Sequence, residues 1–455
     1  MKQPMHLDFN KKLLPLVGAL FLFAGCDQWG VDPEVRFGLI ILFAIISFIA
    51  VFTKPIFGIY AVSVISVIFS PPIRIGFTNL YFHQWVILIA LLASLSSGLI
   101  LGNLHTKMRS GINMPMTIFI GSLFLAMAHA PNTVIGIKSV LYIGVLIASY
   151  YLVLLCINTE REIKVFFILL VMATTVVCIL SLMFHSSGRL GSLVLRNPNG
   201  FGNFLALVIP FLVTFTFYGR LRGGQRLILV LCLILMFVSL TLTFSRSAWV
   251  GVISSIILLS VLKPKTNLFF LLCGIIAATL LFSPIEKRIF KDIHDPGAQY
   301  RVIKARIAYE KFKENPILGN GLGSFHYAAQ FSDVWAYYAH STLENNYLLM
   351  LVEGGLVEFV AFLCLIIIFG KRALILLRKI KGPFLYPVLL GCITSIISTL
   401  VAGMFEDTLF FPKNNWLIGM FMGIVIVVGR IYEESTKEDN STEVGIEEKT
   451  TASLS

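Results

Sequence analysis

The sequence is short of charge. Lys, Arg, Asp and Glu make up 13% of 455 residues, against 57% apolar residues. A water-soluble chain of this length needs far more charge to clothe its surface, so a soluble fold is excluded. Long polar stretches are missing too. The longest runs from about residue 283 to 343, which leaves no room for a second soluble domain. No His, Asp or Glu cluster has metal-ligand spacing, and nucleotide-binding fingerprints of the Walker and Rossmann types are absent. These gaps predict no metal and no cofactor. The cysteines Cys26, Cys156, Cys178, Cys232, Cys273, Cys364 and Cys392 lie in or beside apolar segments, with neither metal spacing nor a disulfide frame. They read as small core residues.

What the chain has instead is a series of apolar runs near the ~20 residues that span a bilayer as a helix. About fourteen spans are expected, near 13–26, 37–53, 55–72, 83–101, 113–130, 133–155, 164–184, 199–217, 226–244, 247–262, 267–283, 344–369, 383–405 and 412–430. The net charge of +12 sits in short clusters between these runs, as a topology signal does, so nucleic acid is not expected as a partner. With Lys2, Lys11 and Lys12 in the cytoplasm, the inner loops carry Lys54, Lys107, Arg109, Arg161, Arg220, Arg222, Lys263 and Lys265. The cluster from Lys371 to Lys381 joins them. The short outer loops carry only Arg36, Arg74, Arg189, Arg196, Arg246 and Lys413. This positive-inside bias makes the chain multi-pass with both termini cytoplasmic. Trp29, Trp85, Trp249 and Trp416 fall at outer span ends, where amphipathic rings favour the headgroup zone. Leu22 to Cys26 faintly resembles a lipoprotein cleavage site, but Phe23 stands where a smaller aliphatic belongs, so the first span is read as retained.

The expected fold class is therefore an all-α polytopic membrane protein of about fourteen transmembrane helices with one large extracytoplasmic loop containing short helices. Residues 1–283 hold membrane helices 1 to 11, and residues 284–343 form the loop. Residues 344–430 hold helices 12 to 14. Residues 431–455, acidic and rich in Ser and Thr, form a disordered cytoplasmic tail.

Residues able to do chemistry gather on the outer side. Arg189 and Arg196 flank a short loop that ends in Asn197-Pro198-Asn199-Gly200, and Arg246 sits in a tight turn, Thr243-Phe244-Ser245-Arg246. In the loop, Gln299 to Phe312 has the spacing of an amphipathic helix, with Arg301, Lys304 and Arg306 close together. Arginines at the depth of a lipid phosphate suit a phosphate group, because the planar guanidinium makes paired charge-assisted hydrogen bonds. Snorkelling or pairing with nearby aspartates is the plainer alternative. Gly319, Gly321 and Gly323 form either a phosphate cradle or a tight turn against membrane helices. His340 and Glu344, four apart, share a face if the next helix begins early enough, and offer an imidazole and a carboxylate. Glu353 and Glu358 lie within the following span, where carboxylates are costly; function and packing against polar neighbours both explain them.

From about Arg189 to Gly355 the chain resembles the O-antigen ligase and O-antigen polymerase superfamily of bacterial envelope glycosyltransferases. Three blocks carry the resemblance in order: Arg189 through Pro198-Asn199, then Thr243 to Arg246, then Arg301 through Pro316, Gly319, Gly321, Gly323 and Phe325. The third continues into Asn345, Tyr347 and Leu348, then Glu353 and Gly355. The resemblance implies a glycosyltransferase of the bacterial cytoplasmic membrane in polysaccharide synthesis. It implies an undecaprenyl-pyrophosphate-linked oligosaccharide as donor, a glycan acceptor, the lipid bilayer and other envelope polysaccharide assembly proteins as partners, and inverting transfer without a metal. By motif position, pyrophosphate binding is carried to Arg246 and Arg301, then to Arg189, Arg196 and Arg306, and acid–base work to His340. Many relatives have histidine immediately before the asparagine of the Asn-x-Tyr-Leu block, where Glu344 stands here. Either His340 or Glu344 is then the base. A repeat-unit polymerase is preferred over a ligase. The alternatives are transfer to protein hydroxyls and, from another class, a transporter or flippase of the same lipid-linked sugars.

Overall fold

The apolar runs become helices because only a helix satisfies its own backbone hydrogen bonds away from water. The computed structural model describes residues 50–68, 70, 72–75, 78–185, 188–192, 197–262, 296–329, 343–411 and 413–452. In chain order these form α1 (Ile56–Ile68), β1 (Pro72–Ile75), β2 (Thr78–Tyr81), α2 (Phe82–Ile100), α3 (Leu104–Met108), α4 (Asn113–Ala128), α5 (Thr133–Cys156) and α6 (Glu160–Met183). There follow α7 (Pro198–Tyr218), α8 (Gly223–Thr243), α9 (Arg246–Leu262), α10 (Pro296–Glu314), α11 (Ser324–Ala329), α12 (Asn346–Lys379), α13 (Leu385–Ala402) and α14 (Asn415–Ala452).

Eight of the described helices are long and apolar enough to cross a membrane, and α1, α4 and α9 are shorter apolar helices beside them. The chain is a polytopic helical membrane protein. Each expected span from 55–72 to 247–262, and from 344–369 onward, coincides with one of these helices. The spans near 13–26 and 267–283, and most of 37–53, lie outside the described residues.

Two features depart from the sequence reading. The fold is not wholly helical, because β1 and β2 pair as an antiparallel hairpin, Pro72 opposite Tyr81 and Ile75 opposite Thr78. Its Ile residues continue the apolar run of the preceding span and hide the boundary. Proline at the first strand position needs no ladder donor, which suits an edge. The backbone of α14 is also helical through Ala452, past residue 430, where composition places a disordered tail. A span already helical supplies the costly nucleus, and Glu and Lys are good helix formers, so propagation is cheap.

The bundle is layered by exposure. The spans α7 and α14 are almost wholly buried, while α8 turns Leu227, Ile228, Leu231 and Ile234 outward as an apolar stripe suited to lipid. Phe167 of α6 and Phe211 of α7 stack at 3.7 Å with rings 8° apart, and Trp416 at the start of α14 is fully buried.

Candidate active site

One rim of the bundle is organised by a break in α12. Gly355 adopts φ 65° and ψ −163°, which interrupts the helical ladder and frees backbone groups on either side. The loop takes them up. Leu356 and Val357 donate their N–H groups to the carbonyls of Pro316 (2.9 Å) and Ile317 (3.2 Å). The carbonyls of Val352 and Glu353 accept from the N–H groups of Asn320 and Gly321, both at 2.9 Å. The Glu353 carboxylate, itself buried, accepts from the backbone N–H groups of Gly323 and Phe325 and so caps α11. The glycine run is thus a tight turn sewn into the broken helix. Gly321 has φ 90°, and a Cβ there would lie 2.1 Å from the His129 carbonyl oxygen, so no side chain fits, and its N–H goes to the Glu353 carbonyl.

This stitching anchors α10. Asn320 donates through Nδ2 to the Lys311 carbonyl at 2.7 Å, and Ala308, Phe325, Leu343 and Val352 form a small core beneath the helix. The face of α10 that meets α12 carries Arg301 and the buried Lys304. Arg301 Nε donates to Glu344 at 2.7 Å and Lys304 Nζ donates at 3.2 Å, one to each carboxylate oxygen. Glu344 has φ 57°, and α12 begins only after Asn345, whose Oδ1 accepts from the N–H groups of Tyr347 and Leu348. The early helix start that would align His340 with Glu344 is therefore not what the chain adopts at Glu344. Asparagine capping wins because it satisfies two otherwise orphaned donors.

The loop between α13 and α14 docks on the same cap. Asn345 donates its N–H to Asp407 Oδ1 at 3.0 Å and its Nδ2 to the Met404 carbonyl at 2.9 Å. Asn346 donates its N–H to the Gly403 carbonyl at 2.9 Å and its Nδ2 to Thr408 at 2.8 Å. Glu406 is thereby carried into the rim, where its Oε2 accepts from Asn199 Nδ2 at 3.1 Å. Asn199 lies in the first turn of α7, and its Oδ1 accepts from the Arg189 guanidinium. Arg189 Nε also donates to the Thr243 carbonyl at 3.0 Å, which ties its loop to the turn where Phe244 has φ 51°. Arg246 is the first residue of α9, just past that turn, and is exposed.

Electrostatics separates the two carboxylates. Burial pushes the Glu344 carboxyl up, but the hydrogen bonds and charges of Arg301 and Lys304 outweigh it and hold the group below the ordinary carboxylate range. Burial, then the negative charges of Glu344 and Asp407, push Glu406 up to about 8, against a smaller pull from Arg301 and Arg189.

The structure brings Arg189, Arg301 and Glu344 into one cluster with Lys304, Asn199, Glu406 and Asp407, and sets Arg246 beside it. Arg306 does not join. Five residues after Arg301, it is about 140° further round the helix and exposed. Arg196 and His340 lie outside the described residues. Sequence reasoning missed Glu406 and Asp407, because it counted only basic residues in the short outer loops; an adjacent Glu-Asp pair there was the available signal. Glu358, fully buried one turn past Glu353, has neither carboxylate oxygen hydrogen-bonded among the described residues. Among the described residues no group of three or more His, Cys, Asp or Glu is placed to hold a metal ion.

Fold and rim together define a multi-pass helical membrane protein with a mixed-charge site at one end of the bundle. Residues 231–363 match the family described as O-antigen ligase. That match, which takes in Arg246, Arg301, Lys304, Glu344 and the α12 break, supports placing the chain in the O-antigen ligase and polymerase superfamily. Arg189, Asn199 and Glu406 lie outside the matched segment. Among curated proteins none matches the chain.

Proposed function

We propose that this protein is a glycosyltransferase of the bacterial cytoplasmic membrane. In this reading it moves an oligosaccharide from undecaprenyl pyrophosphate onto a glycan acceptor at the outer leaflet, with both termini cytoplasmic. Repeat-unit polymerisation is preferred over ligation to a lipid core or transfer to protein. One observation carries the reading: Arg301 and Lys304 converge on a single partly exposed carboxylate at the rim, with Arg189 one hydrogen-bonded residue away from a second. A cationic site already filled by a carboxylate can exchange it for a pyrophosphate, which offers more charge and more acceptor oxygens.

The acceptor hydroxyl attacks C1 from the face opposite the pyrophosphate, and the C1–O bond breaks with its electron pair going to the phosphate oxygen. The anomeric centre inverts. Arg301, Arg246 and Arg189 offset the charge that develops on the leaving group; fixed cations in a partly dry site act most strongly there. No step needs a metal. Arg306 is set aside from the donor site, and Arg196 and His340 are not used.

The test is purified protein in detergent, given a lipid-linked oligosaccharide and a defined acceptor. Lengthened or transferred glycan without a sealed compartment is expected. Movement of the lipid-linked sugar across reconstituted vesicles, with no new glycosidic bond in either format, would overturn the reading in favour of a transporter.

A further inference from the structure

We propose that Glu406 is the base that takes the proton from the acceptor hydroxyl. The inference rests on the glycosyltransferase reading and deepens it. Three carboxylates lie in the cluster. Asp407 is buried and accepts from the Asn345 N–H, and the two that are less buried, Glu344 and Glu406, have partners that differ in kind. Glu344 is held by two cations, one on each oxygen. A carboxylate so engaged is a poor proton acceptor, and the buried Lys304 still holds one oxygen when the donor takes Arg301. Glu406 instead accepts at Oε2 from a neutral amide, that of Asn199.

The surroundings of Glu406 are fully charged nonetheless. Arg301 faces it from α10, Arg189 from the loop before α7, Glu344 from the start of α12 and Asp407 from its own loop. Arg189 is linked to it through a single side chain, that of Asn199, so a donor pyrophosphate gripped by Arg189 is brought close to Glu406. Asn199 holds the geometry: one end of its amide accepts from Arg189 while the other donates to Glu406. The residue that grips phosphate and the residue that receives the proton are thus set by one side chain. Burial and like charge raise the affinity of Glu406 for a proton into the range where a base is most effective near neutral pH.

The step balances without any further reactant. The acceptor O–H proton moves to a Glu406 oxygen as the acceptor oxygen bonds to C1. The C1–O bond to the pyrophosphate breaks, and its electron pair leaves with the phosphate. Glu406 then returns its proton to water.

Three variants in the same detergent preparation as the wild type decide the matter: E406Q, E406D and E406A. Glutamine keeps an oxygen to accept from Asn199, so E406Q retains the hydrogen bond and loses only the base. The expected result is transfer slower by about 10²–10⁴-fold in E406Q, with donor binding, read by quenching of a fluorescent lipid-linked donor, changed by less than about threefold. Wild-type kcat/KM should climb with pH towards about 8, a limb that E406Q lacks. Added formate should restore part of the E406A rate. Transfer by E406Q within about threefold of wild type overturns the proposal, as does a loss that tracks lost donor binding with no formate rescue of E406A. If E406Q fails to give monodisperse protein, the E406D profile and the E406A rescue decide on the same terms. A wild type that makes no glycosidic bond instead removes the underlying reading, and this inference with it.

Discussion

Arginines at the two ends of the bundle are held in different ways. Arg430 lies fifteen residues along α14 from Asn415, roughly 22 Å from the rim at 1.5 Å per residue. Among the described residues its two terminal nitrogens donate to main-chain carbonyls alone, those of Lys107, Leu154 and Ile157, at 2.6 to 3.2 Å. Those carbonyls end α3 and α5 and would otherwise lack a partner. At the rim, Arg301 donates to a carboxylate and Arg189 to an amide oxygen as well as to a carbonyl. A carbonyl belongs to the fold and cannot leave; a side-chain carboxylate can turn aside for another anion. Arg430 therefore reads as a staple and Arg301 as an exchangeable grip.

That contrast can be broken by substitution. R301A and R246A should each lower transfer by about 10²–10³-fold, the usual cost of one preorganised donor to developing charge, and R246A should do so with the melting temperature nearly unchanged. Full activity in both variants would remove the pyrophosphate site. R430A should do the reverse. Leaving buried carbonyls unpaired costs on the order of 1–3 kcal/mol, visible as a lower melting temperature in detergent, while transfer per folded molecule stays near wild type.

Smaller effects sharpen the same line. E344Q removes the anion that competes for Arg301, so donor affinity should tighten by a few-fold in a titration at low salt. Glu344 also gives a pH signature. Its folded carboxyl titrates below the ordinary range, so the contact with α10 contributes stability above the unfolded titration range and loses it as pH falls through the lower folded value. Melting temperature should decline on that acid limb in wild type and less so in E344Q. R306A, on the exposed face of α10, should change transfer by less than about twofold, as a typical surface substitution does.

Legibility differed between these regions for physical reasons. Apolar runs and positive clusters are local signals, and the helices α1, α2, α4 to α9 and α12 to α14 fell where they pointed, whereas the short α3 lies in what read as a loop. The α10 cations were readable in part: helical spacing puts Arg301 and Lys304 on one face, whereas the departure of Arg306 and the burial of Lys304 came from the fold. Glu344 was named, but its partners Arg301 and Lys304, 43 and 40 residues upstream, were not foreseen. The Glu406-Asp407 pair was visible in a short loop, but the role of Glu406 was not, because it depends on Asn199, 207 residues away. The glycine run stayed ambiguous until the break at Gly355 supplied its partners.

Hydropathy and charge act residue by residue, so the sequence places the chain in a membrane, marks the runs that the described helices follow to within a few residues, and gathers the basic residues between them. Only the tertiary structure decided what those arginines touch. The folded chain placed Arg301 on Glu344, sewed the glycines into α12 and carried Glu406 to Asn199, because hydrogen bonds and ion pairs depend on ångström distances between segments far apart in the chain.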